Sequence, residues 1–326
     1  MVMGVRLAWF AALFAIVSWS VTFTNIRALL SDFSSLEILV LRFSMAWAVL
    51  FAWNLASARR GGGARCSRRD ELLFVGMGFT GIAGYQFLEN CAIYYTSASN
   101  IAILVSFAPI STAVVAWLFA HDRSLSAVFV LGSLVSVCGV ALLSLAGVKT
   151  LKLNPVGDLM AMGAMLSWGF YSLFVDMANR RGVSPVVAIR KSMFWALAML
   201  APLAVWGTTE GGLRALGGSF VVNLGLEYNA CRFSRIMNWV NLVFLGVFAS
   251  AACFVLWNMA CKVLGTVRVS IWLHLTPVIG VVVAMVFLGE GVSWMEVSGG
   301  ALILVGVAIA NRGVAHGRAP DKPLTS

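Results

Sequence analysis

Long apolar runs, each about the length that a membrane-spanning helix needs, make up most of this chain. A helix of about 20 apolar residues crosses the hydrocarbon core of a bilayer, and charge, glycine or proline separates such runs throughout the 326 residues. We place helices near residues 7–23, 36–57, 72–94, 97–119, 127–148, 156–177, 185–206, 238–261, 267–288 and 294–311. The sequence therefore predicts an all-α polytopic membrane protein with ten transmembrane helices.

The composition excludes the soluble classes of protein. Hydrophobic residues make up 60% of the chain and charged residues only 11%, whereas soluble domains carry roughly 25% charged residues. The net charge of +10 would suggest nucleic acid in a soluble chain, but in a membrane protein it is typical of basic cytoplasmic loops. We therefore expect the lipid bilayer, and not a nucleic acid, as the macromolecular environment.

The distribution of basic residues predicts the orientation. With the N-terminus in the cytoplasm, the inside segments hold fourteen Lys and Arg residues and the outside segments six. The positive-inside rule thus places both termini and the 58–71 loop in the cytoplasm. The first apolar run lacks a small-residue cleavage motif, so we interpret it as an uncleaved helix.

The chain repeats itself. An offset of 168 residues aligns 88–119 with 256–287 without a gap, and it pairs Asn90 with Asn258 and Pro109 with Pro277. Nearer the N-terminus, an offset of 148 aligns residues 42–47 with 190–195, and an offset of 149 aligns Trp19 with Trp168.

Each unit has five helices, and an odd number of spans makes the second copy enter the membrane from the opposite side. The prediction is two inverted five-helix repeats, at 1–150 and 151–311, followed by a cytoplasmic tail at 312–326. Inverted repeats suit a site that opens alternately to each side.

Several motifs add to this layout. The fourth helix of each unit contains a proline, and the second unit reads LHLTP at 273–277, FLGE at 287–290 and GGALILVG at 299–306. This pattern resembles the EamA family of the drug/metabolite transporter superfamily, although the first unit has Phe119-Ala-His-Asp122 in place of FLGE.

The resemblance implies a basket of ten helices. Helices 1, 3, 4, 6, 8 and 9 would line a central cavity, and helices 5 and 10 would lie outside it. It also implies metabolite export or import across the bacterial inner (plasma) membrane, without fixing which metabolite. We predict secondary active transport of small organic metabolites, such as amino acids or related solutes, by alternating access.

Ionisable and amide side chains within the helices are the first candidates for substrate binding or coupling. Charges inside a membrane are functional hypotheses by default, so Glu89 is a candidate for substrate or proton coupling. The alternative is a structural role for Glu89, either as an ion pair with Arg42 at similar depth or as a carboxylate that reaches the membrane–water interface. Asn90 and Asn258 are repeat mates, and we predict that they face a shared cavity. Packing against neighbouring helices is the other interpretation.

His274 is the only histidine within a predicted helix and titrates near neutral pH when exposed. It is a candidate for ligand contact or proton coupling, against a buried, hydrogen-bonded core histidine. Trp19, Trp168 and Tyr171 form a candidate aromatic wall that could hold apolar, aromatic or cationic groups. Core packing is the alternative for these three aromatic residues.

Pro109 and Pro277 each remove a backbone donor at mid-membrane. They are candidate gating or hinge residues, against simple bends for helix packing. Asp122 and Glu290 fall at helix ends near water, where a charge costs little, so we expect them to matter less.

The predicted function is a transporter of small solutes whose partners are the substrate, the bilayer and a coupled proton or exchanged solute. A non-transporting membrane scaffold or assembly subunit is the alternative. An enzyme is not predicted, because the histidines at 121, 274 and 316 are scattered with no HExxH or GxSxG motif. No cofactor, catalytic residue or metal site is predicted, and no phosphate-binding loop indicates ATP coupling.

Overall fold

The computed structural model describes residues 3–59, 67–146, 154–206, 230–288 and 291–317. Its helices are α1 Val5–Leu29, α2 Ser35–Arg59, α3 68–95, α4 98–120, α5 Ala127–Leu145, α6 Pro155–Arg180, α7 Pro185–Trp206, α8 236–264, α9 266–288 and α10 Trp294–Gly317. A 3-10 turn at Ala230–Ser234 precedes α8. Each predicted helix is present, and the ends of α1 and α10 extend furthest beyond their predicted limits. The predicted repeat boundary at 150 lies outside the described residues.

The chain is a multi-pass helical membrane protein. Within the described residues, nine helices are long and apolar enough to cross a membrane. The remaining helix, α7, has 22 residues and carries Arg190 and Lys191 near its start. Large apolar side chains cover the outer surface, including Leu159 at 70% and Phe10 at 66% exposure. Such extended apolar surface indicates contact with lipid.

The third helix of each repeat contains a π-helical segment. In α3 it runs Gly78–Gly84 and in α8 Phe244–Ala252, and the offset of 168 places the two at equivalent positions. A π turn displaces carbonyl groups from regular bonding. Here the first helix of the other repeat supplies a side-chain donor to each segment. Ser167 Oγ of α6 donates to the Thr80 carbonyl of α3 (2.7 Å), and Trp19 Nε1 of α1 donates to the Ala249 carbonyl of α8 (2.9 Å). The π-helical segment is therefore a feature of both repeats.

The fourth helix of each repeat is interrupted just before its proline. In α4 the segments are Ala98–Val105 and Ala108–Ala120, and in α9 a 3-10 turn at Ile271–Leu275 separates Thr266–Ser270 from Thr276–Leu288. Each proline is the second residue of the segment that follows, where no backbone donor is required. The predicted distortion at Pro109 and Pro277 is present, and hinge motion there stays a prediction.

Glycines bring α5 and α10 into close contact at the periphery. A Cβ atom added to Gly132 would lie 2.2 Å from the Ala310 nitrogen, and one added to Gly139 would lie 2.7 Å from the Gly299 carbonyl oxygen. Small residues at such positions let helix backbones approach closely in membranes. The same holds in α3, where Gly81 makes room for the Tyr171 ring.

An ionic contact joins the two repeats at each end of the molecule. At one end Arg235 Nη1 lies 2.9 Å from both carboxylate oxygens of Asp32, and Asn238 Nδ2 donates to Asp32 at 2.8 Å. At the other end Arg181 Nη1 lies 3.1 Å from Asp70 Oδ1. Asp70 is the repeat mate of Asn238, and Asp32 and Arg181 occupy equivalent helix–helix turns. Equivalent turns and helix starts thus meet at both ends of the molecule, but the cation is Arg235 at the helix start in one case and Arg181 at the turn in the other.

Candidate functional site

A cavity of about 800 Å³ lies where the two repeats meet. Its lining is mainly apolar and comes from α1, α2, α3, α4, α6, α8 and α9, and none of its lining residues belongs to the described parts of α5 or α10. The arrangement of helices implied by the family resemblance is therefore present, with α2 added through Arg42. The cavity extends from mid-membrane toward the face at which α1 and α3 end, as its lining by Thr24, Ile26 and Val283 indicates.

Six predicted site residues line this cavity: Trp19, Glu89, Pro109, Trp168, His274 and Pro277. Several of them come together as repeat mates. Trp19 and Trp168 have ring centroids 6.2 Å apart, and both prolines are in the lining. Equivalent positions of the two repeats therefore face the same cavity, which lies at the interface between the repeats.

Asn258 and Tyr171 do not line the cavity, which corrects the prediction for both. Asn258 is 3% exposed and Tyr171 is fully buried. Asn258 Nδ2 donates to the Tyr171 hydroxyl at 2.9 Å and to the Phe254 carbonyl at 2.8 Å. The amide thus donates to the phenol oxygen behind the cavity, and neither residue is part of the lining.

Asn90 is also absent from the cavity lining, and it is half-buried on α3. The prediction that the two asparagines face a shared space is therefore wrong in this conformation. Glu89, its neighbour in sequence, takes the cavity-facing position instead.

Aromatic side chains close the inner end of the cavity. Trp19, Trp168 and Phe254, which we name the aromatic floor, line it together, and the Trp19 and Phe254 centroids are 5.4 Å apart. Tyr171 and Trp257 support this layer from behind, at 5.0 Å from Trp168 and 5.2 Å from Trp19. Such a layer offers flat faces to apolar or cationic groups.

Two buried polar side chains in the lining have unused hydrogen-bonding groups. His274 is 1% exposed, and neither ring nitrogen has a partner among the described residues. Trp168 is 6% exposed, and its Nε1 donor likewise has no partner in the described part of the chain. Buried polar groups are normally bonded, so the nitrogens of both side chains are candidates for a hydrogen bond with a bound solute.

Sequence reasoning missed several polar lining residues. Arg42 was considered only as a structural partner of Glu89, and Tyr85, Gln86 and Thr24 were not singled out. One signal was available, since Tyr85 precedes Glu89 by four residues, and side chains at that spacing meet on a helix. Its hydroxyl donates to Glu89 Oε1 at 3.0 Å.

A second, smaller pocket of about 220 Å³ lies at the opposite end of the helices. Polar and charged residues make up most of its lining, and the charged ones include Asp122, Asp176, Arg180 and Arg268. Asp122 Oδ1 accepts the Ser124 backbone N–H at 2.7 Å, which is a local turn contact. Glu290 lies outside the described residues. Over the described residues, no group of three or more His, Cys, Asp or Glu side chains could hold a metal ion.

A basket of membrane helices around a central cavity, built from two related halves, defines a transporter of small solutes. The chain belongs to the EamA-like transporter family, whose model matches residues 6–145 and 155–312. The protein is accordingly a membrane transporter and not an enzyme.

Curated relatives are similar over nearly the whole chain. The "Probable terminal-alkyne amino-acid exporter" of Streptantibioticus cattleyicolor is 26% identical and aligns over 94% of this chain and 93% of its own. The "Probable amino-acid metabolite efflux pump" of Salmonella typhimurium is 24% identical over 92% and 93%. One solved structure matches with a TM-score of 0.73 at 19% identity, covering 95% of this chain and 98% of that chain. This last likeness supports the fold.

Replacing His274 by Ala is expected to raise the KM for the transported solute about tenfold, because a charged or polar solute group would lose a hydrogen bond worth about 1.5 kcal/mol. The melting temperature in detergent should stay within a few degrees of wild type, since the imidazole has no partner among the described residues. Transport kinetics in proteoliposomes provide the measurement.

Ser106, the repeat mate of His274, provides the matched control. Its side chain also lines the cavity, but its Oγ already donates to the Ile103 carbonyl at 2.6 Å. Ser106→Ala should therefore change KM by less than about twofold. Equal effects of the two substitutions, or an unchanged KM in the His274 variant, would remove His274 from the binding site.

Proposed function

We propose that the protein is a secondary active transporter that exports small organic metabolites, amino acids or related solutes, by alternating access. The observation that supports this most is the cavity of about 800 Å³ between the repeats, a size that suits small-molecule ligands. Its lining combines an apolar surface with a few polar groups, as solute sites do. The printed names of two relatives, an amino-acid exporter and an amino-acid metabolite efflux pump, support the substrate class and direction.

The interrupted helices support alternating access as the mechanism. Breaks before Pro109 and Pro277 place irregular backbone beside the cavity in both repeats. Membrane transporters commonly form their sites from discontinuous helices at a repeat interface. Rocking of one repeat against the other would expose the cavity to each side in turn, with Glu89 and His274 as candidates for coupling to a proton. Exchange against a second solute is the other form of coupling that we propose to test.

Counterflow in proteoliposomes tests this function. Vesicles loaded with a mixture of unlabelled amino acids should accumulate at least one radiolabelled amino acid transiently above equilibrium, and empty vesicles should not. Repeating the assay with an imposed pH gradient separates proton coupling from exchange. A purified, folded protein that moves none of the amino acids, nor other metabolites in a wider panel, would favour the alternative of a non-transporting scaffold or assembly subunit.

We further propose that the protein lies in the bacterial inner membrane with both termini in the cytoplasm, as the distribution of basic residues predicts. Ser31, between α1 and α2, and Arg123, between α4 and α5, are exposed at opposite ends of the helices. In a cysteine-free background, a membrane-impermeant thiol reagent added to intact spheroplasts should label Ser31→Cys and leave Arg123→Cys unmodified until lysis. The reverse pattern would invert the proposed topology.

A further inference from the structure

Two opposite charges lie in the cavity without forming an ion pair. Arg42 of α2 and Glu89 of α3 both line it, at 3% and 8% exposure. Among the ion pairs of the described residues, defined by N–O distances of up to 4.0 Å, none joins these two side chains. The direct contact considered from sequence is therefore not made.

A neutral neighbour holds each charge in place. Arg42 Nε donates to Ser250 Oγ at 2.9 Å, and Glu89 Oε1 accepts the Tyr85 hydroxyl at 3.0 Å. Ser250 lies in the π-helical segment of α8, and Tyr85 directly follows the equivalent segment of α3. The two irregular segments thus position the two charges.

Both charged groups retain hydrogen-bonding capacity. A guanidinium carries five N–H donors and a carboxylate two acceptor oxygens. Within the described residues, Arg42 has no bond from its two terminal nitrogens and Glu89 none to its second oxygen. A buried charge is costly unless it is paired. The cavity consequently presents donors for an anionic group and an acceptor for a cationic group.

We infer that the cavity binds a dipolar solute, whose anionic group contacts Arg42, whose cationic group contacts Glu89, and whose apolar part packs on the aromatic floor. The inference rests on the proposed transport function and adds Arg42 as a residue that determines specificity. A solute with only one of the two charges would leave the opposite protein charge without a partner, which is how such a site discriminates. α-Amino acids with apolar side chains have this chemistry.

The second repeat does not duplicate this pair of charges. Arg190, the repeat mate of Arg42, is absent from the cavity lining, and its guanidinium lies 5.9 Å from the centre of the Phe51 ring. Trp257, the mate of Glu89, is 2% exposed and packs behind the aromatic floor. The cavity therefore has a single dipolar site, whose two charges both come from the first repeat. Arg190 provides a matched control for Arg42.

Calorimetry on the purified protein in nanodiscs tests the inference with defined probes. The probes are L-alanine, L-leucine and L-phenylalanine, together with L-leucinamide, which is cationic only, and 4-methylpentanoate, which is anionic only. At least one of the three amino acids should bind. L-leucine should bind at least about tenfold more tightly than either single-charge analogue, because each analogue loses one charge-assisted hydrogen bond.

The variants assign the two charges separately. Arg42→Gln should weaken L-leucine binding about tenfold and leave L-leucinamide unchanged, whereas Glu89→Gln should weaken L-leucine and leave 4-methylpentanoate unchanged. Arg190→Gln should alter none of these affinities. The melting temperature of each variant identifies those that fail to fold, and in that case the wild-type probe series decides.

Two outcomes would overturn the inference: no binding of any of the three amino acids, or equal affinity for L-leucine and its single-charge analogues. If Arg42 and Glu89 only stabilised the fold, both single variants would have a lower melting temperature but would bind the probes in the same order of affinity. That result would also contradict the inference. If the protein gave either of these two binding results but still moved another metabolite in the counterflow assay, the proposed transport function would stand and only the dipolar site would be rejected. Failure of all counterflow would instead reject that function.

Discussion

Replacing Gly280 by Trp is expected to abolish transport while leaving the protein folded. Gly280 lies on α9 in the cavity lining, and a Cβ atom added there would meet no atom within 4 Å. The indole would therefore occupy the space intended for the solute without displacing a helix. Since Trp is also a better helix former than Gly, we expect no loss of melting temperature and a transport rate below about one tenth of wild type.

Gly291 provides the control for this substitution. It is exposed, it lies outside the cavity lining, and an added Cβ there is equally free of contacts. Gly291→Trp should transport at the wild-type rate in the same proteoliposome assay. Transport by Gly280→Trp at more than half of the wild-type rate would contradict the assignment of the cavity as the solute path.

Replacing Gly132 by Leu is expected to have the largest effect on stability. An added Cβ would lie 2.2 Å from the Ala310 nitrogen and 2.7 Å from both the Ala310 Cα and the Gly306 carbonyl oxygen. All three atoms belong to the backbone, so relief requires α5 and α10 to separate. Overpacking commonly costs about 1–3 kcal/mol, and we expect the upper end of this range or more. The measurement is the melting temperature in detergent, with expression level as a second readout.

Gly163→Leu is the matched control, because an added Cβ at Gly163 meets only Leu88 Cδ1 at 3.4 Å, an ordinary contact. Its melting temperature should remain close to wild type. If the Gly132 variant were as stable as this control, the close contact between α5 and α10 would not contribute to the stability of the fold.

Hydrophobic patterning predicts the helices of this protein well, because each span must bury about 20 residues in lipid whatever its neighbours are. The π-helical segments were not predicted. Gly78, Gly81 and Gly84 mark one of them, yet the equivalent stretch from Phe244 to Ala252 shares little of that pattern. An extra residue per turn is stabilised by contacts from another helix, such as the bond from Trp19 to Ala249, and these contacts are not visible in a local sequence.

The sequence predicts which helices carry the candidate site better than it predicts which of their side chains face the cavity. Glu89, His274 and the two tryptophans at the aromatic floor were expected at the cavity and line it. Asn258 lies on α8, as expected, but its amide faces Tyr171. Because a π turn takes more residues than an α turn, the face that a helix presents beyond such a segment differs from that of an uninterrupted helix. Repeat equivalence alone therefore did not decide which side chains of α3 and α8 face the cavity: Glu89 lines it, whereas Asn90 and Asn258 do not.

Protection of a cysteine in the cavity by the solute shows whether the cavity is the solute path. In a cysteine-free background, Ser106→Cys places a thiol in the cavity lining, and its rate of modification by a small maleimide is measured in proteoliposomes with and without the transported amino acid. We expect the solute to slow modification with a half-maximal concentration equal to its KM for transport. An unchanged rate of modification at saturating concentrations of a solute that the same protein transports would show that the solute path lies elsewhere.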